Sequence, residues 1–257
     1  MQGFDSAWIV LCPAILGLSA WLTRLSIGYA HRRQLIDHPG QRRSHDLPTP
    51  RGGGIGIVVS VLVGLAGLLI FGMFDGEGDL QGQNGWRFTA TLVLMLAIAL
   101  VAIVGWIDDH RGLSARLRLC AHVFATFLLG MPALQLLGPE WTVNPAAGWM
   151  AAAMLICALA IVWSINLHNF MDGINGLLSL QALFVFLVLA WICAQAGRSD
   201  EARTIALFAA ATLGFVPFNF PRARIFMGDV GSGVLGLLVA VAIGWQIAAA
   251  PEFWMAG

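Results

Sequence analysis

The sequence predicts an all-α fold, a polytopic integral membrane helix bundle of about eight transmembrane helices. Of 257 residues, 58% are hydrophobic and 11% charged, where an ordinary soluble domain carries roughly 25% charged. Mean hydropathy is +0.79. Apolar runs of about 20 residues, the length that crosses ~30 Å of hydrocarbon, recur along the whole chain. Short polar islands separate them.

In order, the runs are 7–29, 55–74, 89–107, 117–137, 147–165, 177–196, 203–218 and 231–249. Gly130 and Pro132 are expected to interrupt the fourth, and Pro217 to end the seventh. Neither a repeat nor a low-complexity linker divides the chain, so residues 1–257 read as one membrane-embedded domain with no separate soluble part. The first run lacks a basic leader and a small-residue cleavage site, which makes it a retained helix.

All 14 basic residues are arginine, and net charge is zero, so nothing points to nucleic acid. Orientation follows from where those arginines fall. Eleven lie in or beside loops 30–54, 108–116 and 219–230: Arg24, Arg32, Arg33, Arg42, Arg43, Arg51, Arg111, Arg116, Arg118, Arg222 and Arg224. Three (Arg87, Arg198 and Arg203) lie on the other side with most of the acids. This bias places the three loops in the cytoplasm and the N-terminus outside, and alternation puts loop 166–176 inside too. Cys12, Cys120, Cys157 and Cys193 stand singly in apolar runs and read as core residues.

Four polar islands therefore face one compartment. Asp108 and Asp109 end the third run; adjacent carboxylates repel unless a cation shares them, and Mg²⁺ favours one or two carboxylates plus substrate phosphates. Asn166, Asn169 and Asp172 recur every third residue, along one face if helical. Polar groups at this depth are costly and usually functional; His168 points away from that row and reads as structural. Asp229, in FMGDVGSG, precedes a helix whose first N–H groups around Ser232 suit a phosphate. Arg222 and Arg224 before it are either phosphate clamps or topogenic anchors. The basic, glycine-rich stretch 42–54, with Arg43, His45, Arg51 and Gly53, suits an anionic headgroup.

Together RRSHDLPTPRGGGIGI, GWIDDHRGLSARLR, NLHNFMDGINGL and PRARIFMGDVGSGVLG resemble, in order, the motifs of the polyprenyl-phosphate N-acetylhexosamine-1-phosphate transferases. These are the WecA- and WbpL-like members of glycosyltransferase family 4, related to MraY. The resemblance covers roughly residues 30–240. It implies transfer of an N-acetylhexosamine 1-phosphate from a UDP-sugar to undecaprenyl phosphate at the bacterial inner membrane's cytoplasmic face, with release of UMP. Such a step initiates O-antigen or other envelope-polysaccharide synthesis. It also implies Mg²⁺, with Mn²⁺ as a substitute. Asp108 and Asp109 match the DD pair, assigned to acceptor activation or metal contact. Asp229 and Asp172 match metal-site positions, Asn169 a substrate position, and Asp37 an acidic position before the basic loop. Asn166, Arg43, Arg51, Gly53, Arg222, Arg224 and Ser232 complete the expected substrate contacts.

Two departures matter. Asn175 stands where the family often has Asp, which removes a charge. The family also usually continues into further helices and a histidine-bearing loop, whereas this chain stops at Gly257; the expectation is an incomplete or divergent version with weak turnover or none. The alternatives are a non-catalytic relative that binds polyprenyl phosphate and a transporter. A transporter needs carboxylates near mid-span, but here the key acids lie at span ends. The sugar, the glycan pathway and the lipid length are open, and a homodimer is an option.

Overall fold

The computed structural model describes residues 2–37, 47–70, 83–136 and 147–249. They form eight helices and one small sheet: α1 Gln2–Arg33, β1 Ile36–Asp37, β2 Thr49–Pro50, α2 Ile55–Ile70, α3 Gln83–Arg111, α4 Ala115–Leu136, α5 Ala147–Met171, α6 Leu177–Gln195, α7 Ser199–Asn219 and α8 Asp229–Ala248. Among the described residues six helices are long and apolar enough to cross a membrane: α1, α3, α5, α6, α7 and α8. The chain is an integral membrane helix bundle. Within the described residues α2 is a shorter apolar helix of 16, and α4 carries Arg116, Arg118 and His122 in its first turns.

Most of α8 lies inside the bundle, whereas most of α5 faces outward. The buried residues Ile57, Val101, Ile165, Phe208, Phe215, Val234 and Leu238 bring five helices into one core. Small residues permit the close crossings that membrane helices use in place of a hydrophobic drive. A Cβ on Gly105 of α3 would come 2.4 Å from the Asp229 carbonyl oxygen, and one on Gly54 would come 2.3 Å from the Gly231 Cα. Both approaches pull α3 and the residues before α2 against the start of α8.

Helix ends differ from the sequence expectation where polar residues were taken to stop a helix. The third run continues to Arg111, so Asp108 and Asp109 are helical, and the fifth continues to Met171, so most of the Asn-rich island is helix. Pro132 and Pro217 lie inside α4 and α7 and break neither. Proline removes one hydrogen bond, which packed neighbours in a membrane bundle can offset. The antiparallel pairing of Ile36 with Pro50 and Asp37 with Thr49 is a feature the apolar runs do not predict; Arg43 and His45 lie outside the described residues.

Candidate functional site

The site is built around the loop that leads into α8. Gly228, the residue before that helix, has φ +72, which favours glycine. A Cβ there would also meet the Asp109 Oδ2 at 2.7 Å. Gly228 has no side chain to cap the helix, so another element supplies the cap. Asp109, at the end of α3 and 4% exposed, accepts N–H bonds from Asp229 and Val230, each at 3.2 Å. Asp172 accepts the N–H groups of Met227 at 3.4 Å and Gly228 at 2.7 Å. Two carboxylates thus hold four consecutive backbone N–H groups.

The other two acids face each other. The carboxyls of Asp108 and Asp229 share one cation. Arg118 Nη1 lies 2.6 Å from Asp108 Oδ2 and 3.3 Å from Asp229 Oδ2. Asp108 also accepts the Leu113 N–H. Arg51 serves Asp109, donating from Nη2 to its main-chain oxygen at 2.9 Å and placing Nε 3.7 Å from its carboxylate. Beneath this layer, Asn219 is buried; its side-chain oxygen accepts the Gly176 N–H and the Ser179 hydroxyl, and its amide donates to Ile225 O. That residue ties turn 172–176 to the loop before α8.

A cleft of about 350 Å³ is lined by the polar side chains Asp37, Arg51, Asp109, Asn169, Asp172 and Asp229 together with the apolar Phe170, Ile174 and Leu177. The apolar wall is exposed, so a polar and an apolar surface meet at its mouth. Burial raises the Asp172 carboxyl from 3.8 to about 6, outweighing its two N–H bonds.

Several expected contacts lie elsewhere. Ser232 is fully buried and donates its hydroxyl to Asn169 Oδ1 at 3.2 Å. The α8 N–H groups expected to be free are engaged, because Asp109 takes two and Gly228 O accepts those of Gly231 and Ser232. Gly53 is a packing and loop residue, donating its N–H to Phe226 O, and a Cβ there would collide with the Phe215 ring at 2.8 Å. Asn166 donates to Val162 O and lines a separate apolar groove with Leu119 and Trp163. Arg224 donates to Pro217 O and covers the Phe218 ring, and the exposed Arg222 does not line the cleft. Asn175, in turn 172–176, does not line it either.

Among the described residues no three His, Cys, Asp or Glu side chains form a ready-made metal cage. The Asp108–Asp229 pair nonetheless fits a hard divalent cation, which takes one or two carboxylates and completes its shell with phosphate and water. Asp109 and Asp172 fit less well, since their oxygens already accept backbone N–H groups. Sequence reasoning missed Arg118, which reads as a topogenic charge, and Asn219, which sits in an unremarkable FNFP string.

Fold and site define an integral membrane protein with an acidic cleft at one end of its bundle. Residues 91–245 match the profile of Glycosyl transferase family 4, and the chain belongs to that family. It is 27% identical over 251 residues to the decaprenyl-phosphate N-acetylglucosaminephosphotransferase of Mycobacterium leprae, covering 89% of this chain and 60% of the relative. It is 28% identical over 238 residues to a probable undecaprenyl-phosphate N-acetylglucosaminyl 1-phosphate transferase of Bacillus subtilis, covering 91% and 61%. It is 32% identical over 208 residues to the phospho-N-acetylmuramoyl-pentapeptide-transferase of Deinococcus radiodurans, covering 75% and 60%. The chain therefore spans about 60% of the length of these relatives.

Proposed function

We propose that this chain carries the acidic half of a phosphosugar transferase site. The reaction moves an N-acetylhexosamine 1-phosphate from a UDP-sugar to undecaprenyl phosphate or a similar polyprenyl phosphate, at the cytoplasmic face of a bacterial inner membrane. A phosphate oxygen of the lipid attacks the sugar-linked phosphorus, the bond to the bridging oxygen breaks, and UMP leaves with that oxygen. The observation that carries this reading is the convergence of Asp109, Asp172 and Asp229 on one cleft with an apolar lip, with Asp108 joined to Asp229 through Arg118. The named activities of the relatives support it.

Each residue's part follows from its surroundings. The acceptor phosphate is largely ionised near neutral pH, its second pKa being about 6, so positioning and charge stabilisation outweigh base catalysis. Asp109, buried and bonded to two N–H groups, is suited to fixing the start of α8. Asp172 fixes the preceding residues. Asp108 and Asp229 would hold Mg²⁺, or Mn²⁺ in its place, which supplies neutralisation of the diphosphate. Arg51, at the rim, adds a cation toward the substrate phosphates. Phe170, Ile174 and Leu177 form a surface for the first isoprenes of the acceptor.

The test is transfer of labelled sugar phosphate from UDP-N-acetylglucosamine and, separately, UDP-N-acetylgalactosamine to undecaprenyl phosphate in membranes containing the chain, with UMP release followed in parallel. The expected result is Mg²⁺-dependent label in the lipid fraction, lost with EDTA and in Asp229→Asn. Label transfer unaffected by Asp229→Asn would refute the assigned site. UDP-sugar hydrolysis without lipid label would refute the acceptor.

A further inference from the structure

Arg118 has no part in the reading above beyond its ion pairs, and its geometry is unusual for a purely structural arginine. A structural guanidinium commonly grips a carboxylate with two nitrogens. Here the single atom Nη1 reaches both Asp108 Oδ2 and Asp229 Oδ2. It bridges the two carboxyls from a side chain one-third exposed. Of the four acids, these two are the pair that one moving side chain would release. Asp109 and Asp172 are bound to backbone N–H groups of the α8 loop and stay put.

We propose that Arg118 is a built-in counter-ion, a positioning residue that fills the gap between Asp108 and Asp229 while no divalent cation is bound and swings aside when one enters. The inference rests on the cation reading of that pair. Two facing carboxylates repel unless a proton or a cation stands between them, and one guanidinium carries half the charge of Mg²⁺. An empty site is therefore held in shape, and cation entry competes with an internal ion pair. The displaced guanidinium, anchored on the first turns of α4, is within reach of the cleft and would meet a substrate phosphate. Cation and substrate would then favour each other's binding.

The experiment measures free Mn²⁺ by electron paramagnetic resonance during titration of the purified detergent-solubilised protein, without nucleotide or lipid. Wild type, Arg118→Gln, Arg118→Lys and Asp229→Asn are compared, each first shown to be monodisperse; Arg118→Met replaces the Gln variant if that aggregates. Arg118→Gln should bind Mn²⁺ about ten-fold more tightly, the size expected when one charge-assisted competitor is removed. Arg118→Lys should stay near wild type, and Asp229→Asn should lose binding. A merely structural arginine predicts the opposite sign, because its removal loosens the site. Unchanged or weaker binding in Arg118→Gln, with binding still lost in Asp229→Asn, overturns the counter-ion proposal and leaves the cation site standing. Absence of Mn²⁺ binding from wild type and Arg118→Gln alike overturns both.

Discussion

The two ends of the bundle use the same ingredients to different ends. At the far end, Asp200 at the start of α7 pairs with Arg87 of α3 and lies 3.6 Å from Arg203, so one acid is shared by two cations. Nearby Arg198 donates to Trp245 O and Gln246. At the site end, among the described residues, Arg51 pairs with Asp109 and Arg118 with Asp108 and Asp229, while Asp172 accepts backbone N–H groups. The far end is matched charge that ties helices together. Among the described residues, the site end has more carboxylates than ion-pairing cations and holds two of them by backbone N–H groups.

Variants at each end should break that contrast in a graded way. Asp109→Ala removes the acceptor for two buried N–H groups, so it should cost about 3 kcal/mol and abolish transfer, read by thermal unfolding in detergent and by lipid labelling. Full stability would show that α8 does not depend on its borrowed cap. Gly228→Ala meets both a positive φ and the Asp109 oxygen at 2.7 Å; a loss of about 2 kcal/mol is expected from the left-handed backbone and overpacking together. A wild-type melting temperature would mean that the loop relaxes freely.

The Asp172 carboxyl sharpens the comparison through pH. Its value is raised in the fold from 3.8 to about 6, so the folded state holds this proton more tightly than the unfolded chain does. Its contribution to stability is complete below about 4 and is lost as pH rises through 6. Melting measured from pH 4 to 7 in EDTA should show wild type falling relative to Asp172→Asn across that window. Parallel curves would remove Asp172 as the source. The smallest effect belongs to the far end: Asp200→Asn should cost about 1 kcal/mol or less, since partly exposed pairs contribute little, and should leave transfer intact. Loss of transfer there would show that the two ends are coupled.

The helical membrane architecture was legible because hydrocarbon thickness imposes run lengths that composition displays directly. The acids were legible as well: Asp108, Asp109, Asp172 and Asp229 stand out as charges at the ends of apolar runs. Their division of labour was not. Neighbours in sequence, Asp108 and Asp109 face different partners, one pairing with Arg118 and the other capping α8, because a helical step of about 100° turns adjacent side chains apart. Ser232 and Gly53 illustrate a second limit. A residue suited to phosphate contact by type can be fully absorbed by packing, and only tertiary placement separates the two outcomes. Arg118 shows the converse, since an arginine that counts toward membrane orientation also completes the site.

The cap of α8 is lent by a residue 120 positions earlier in the chain. During synthesis, therefore, the acidic end cannot be finished when α3 enters the membrane, nor while α5 and α7 are being laid down. It takes shape only as the last described helix docks. A half-inserted chain displays isolated aspartates, and the docking of α8 is the step that gathers them into one cluster.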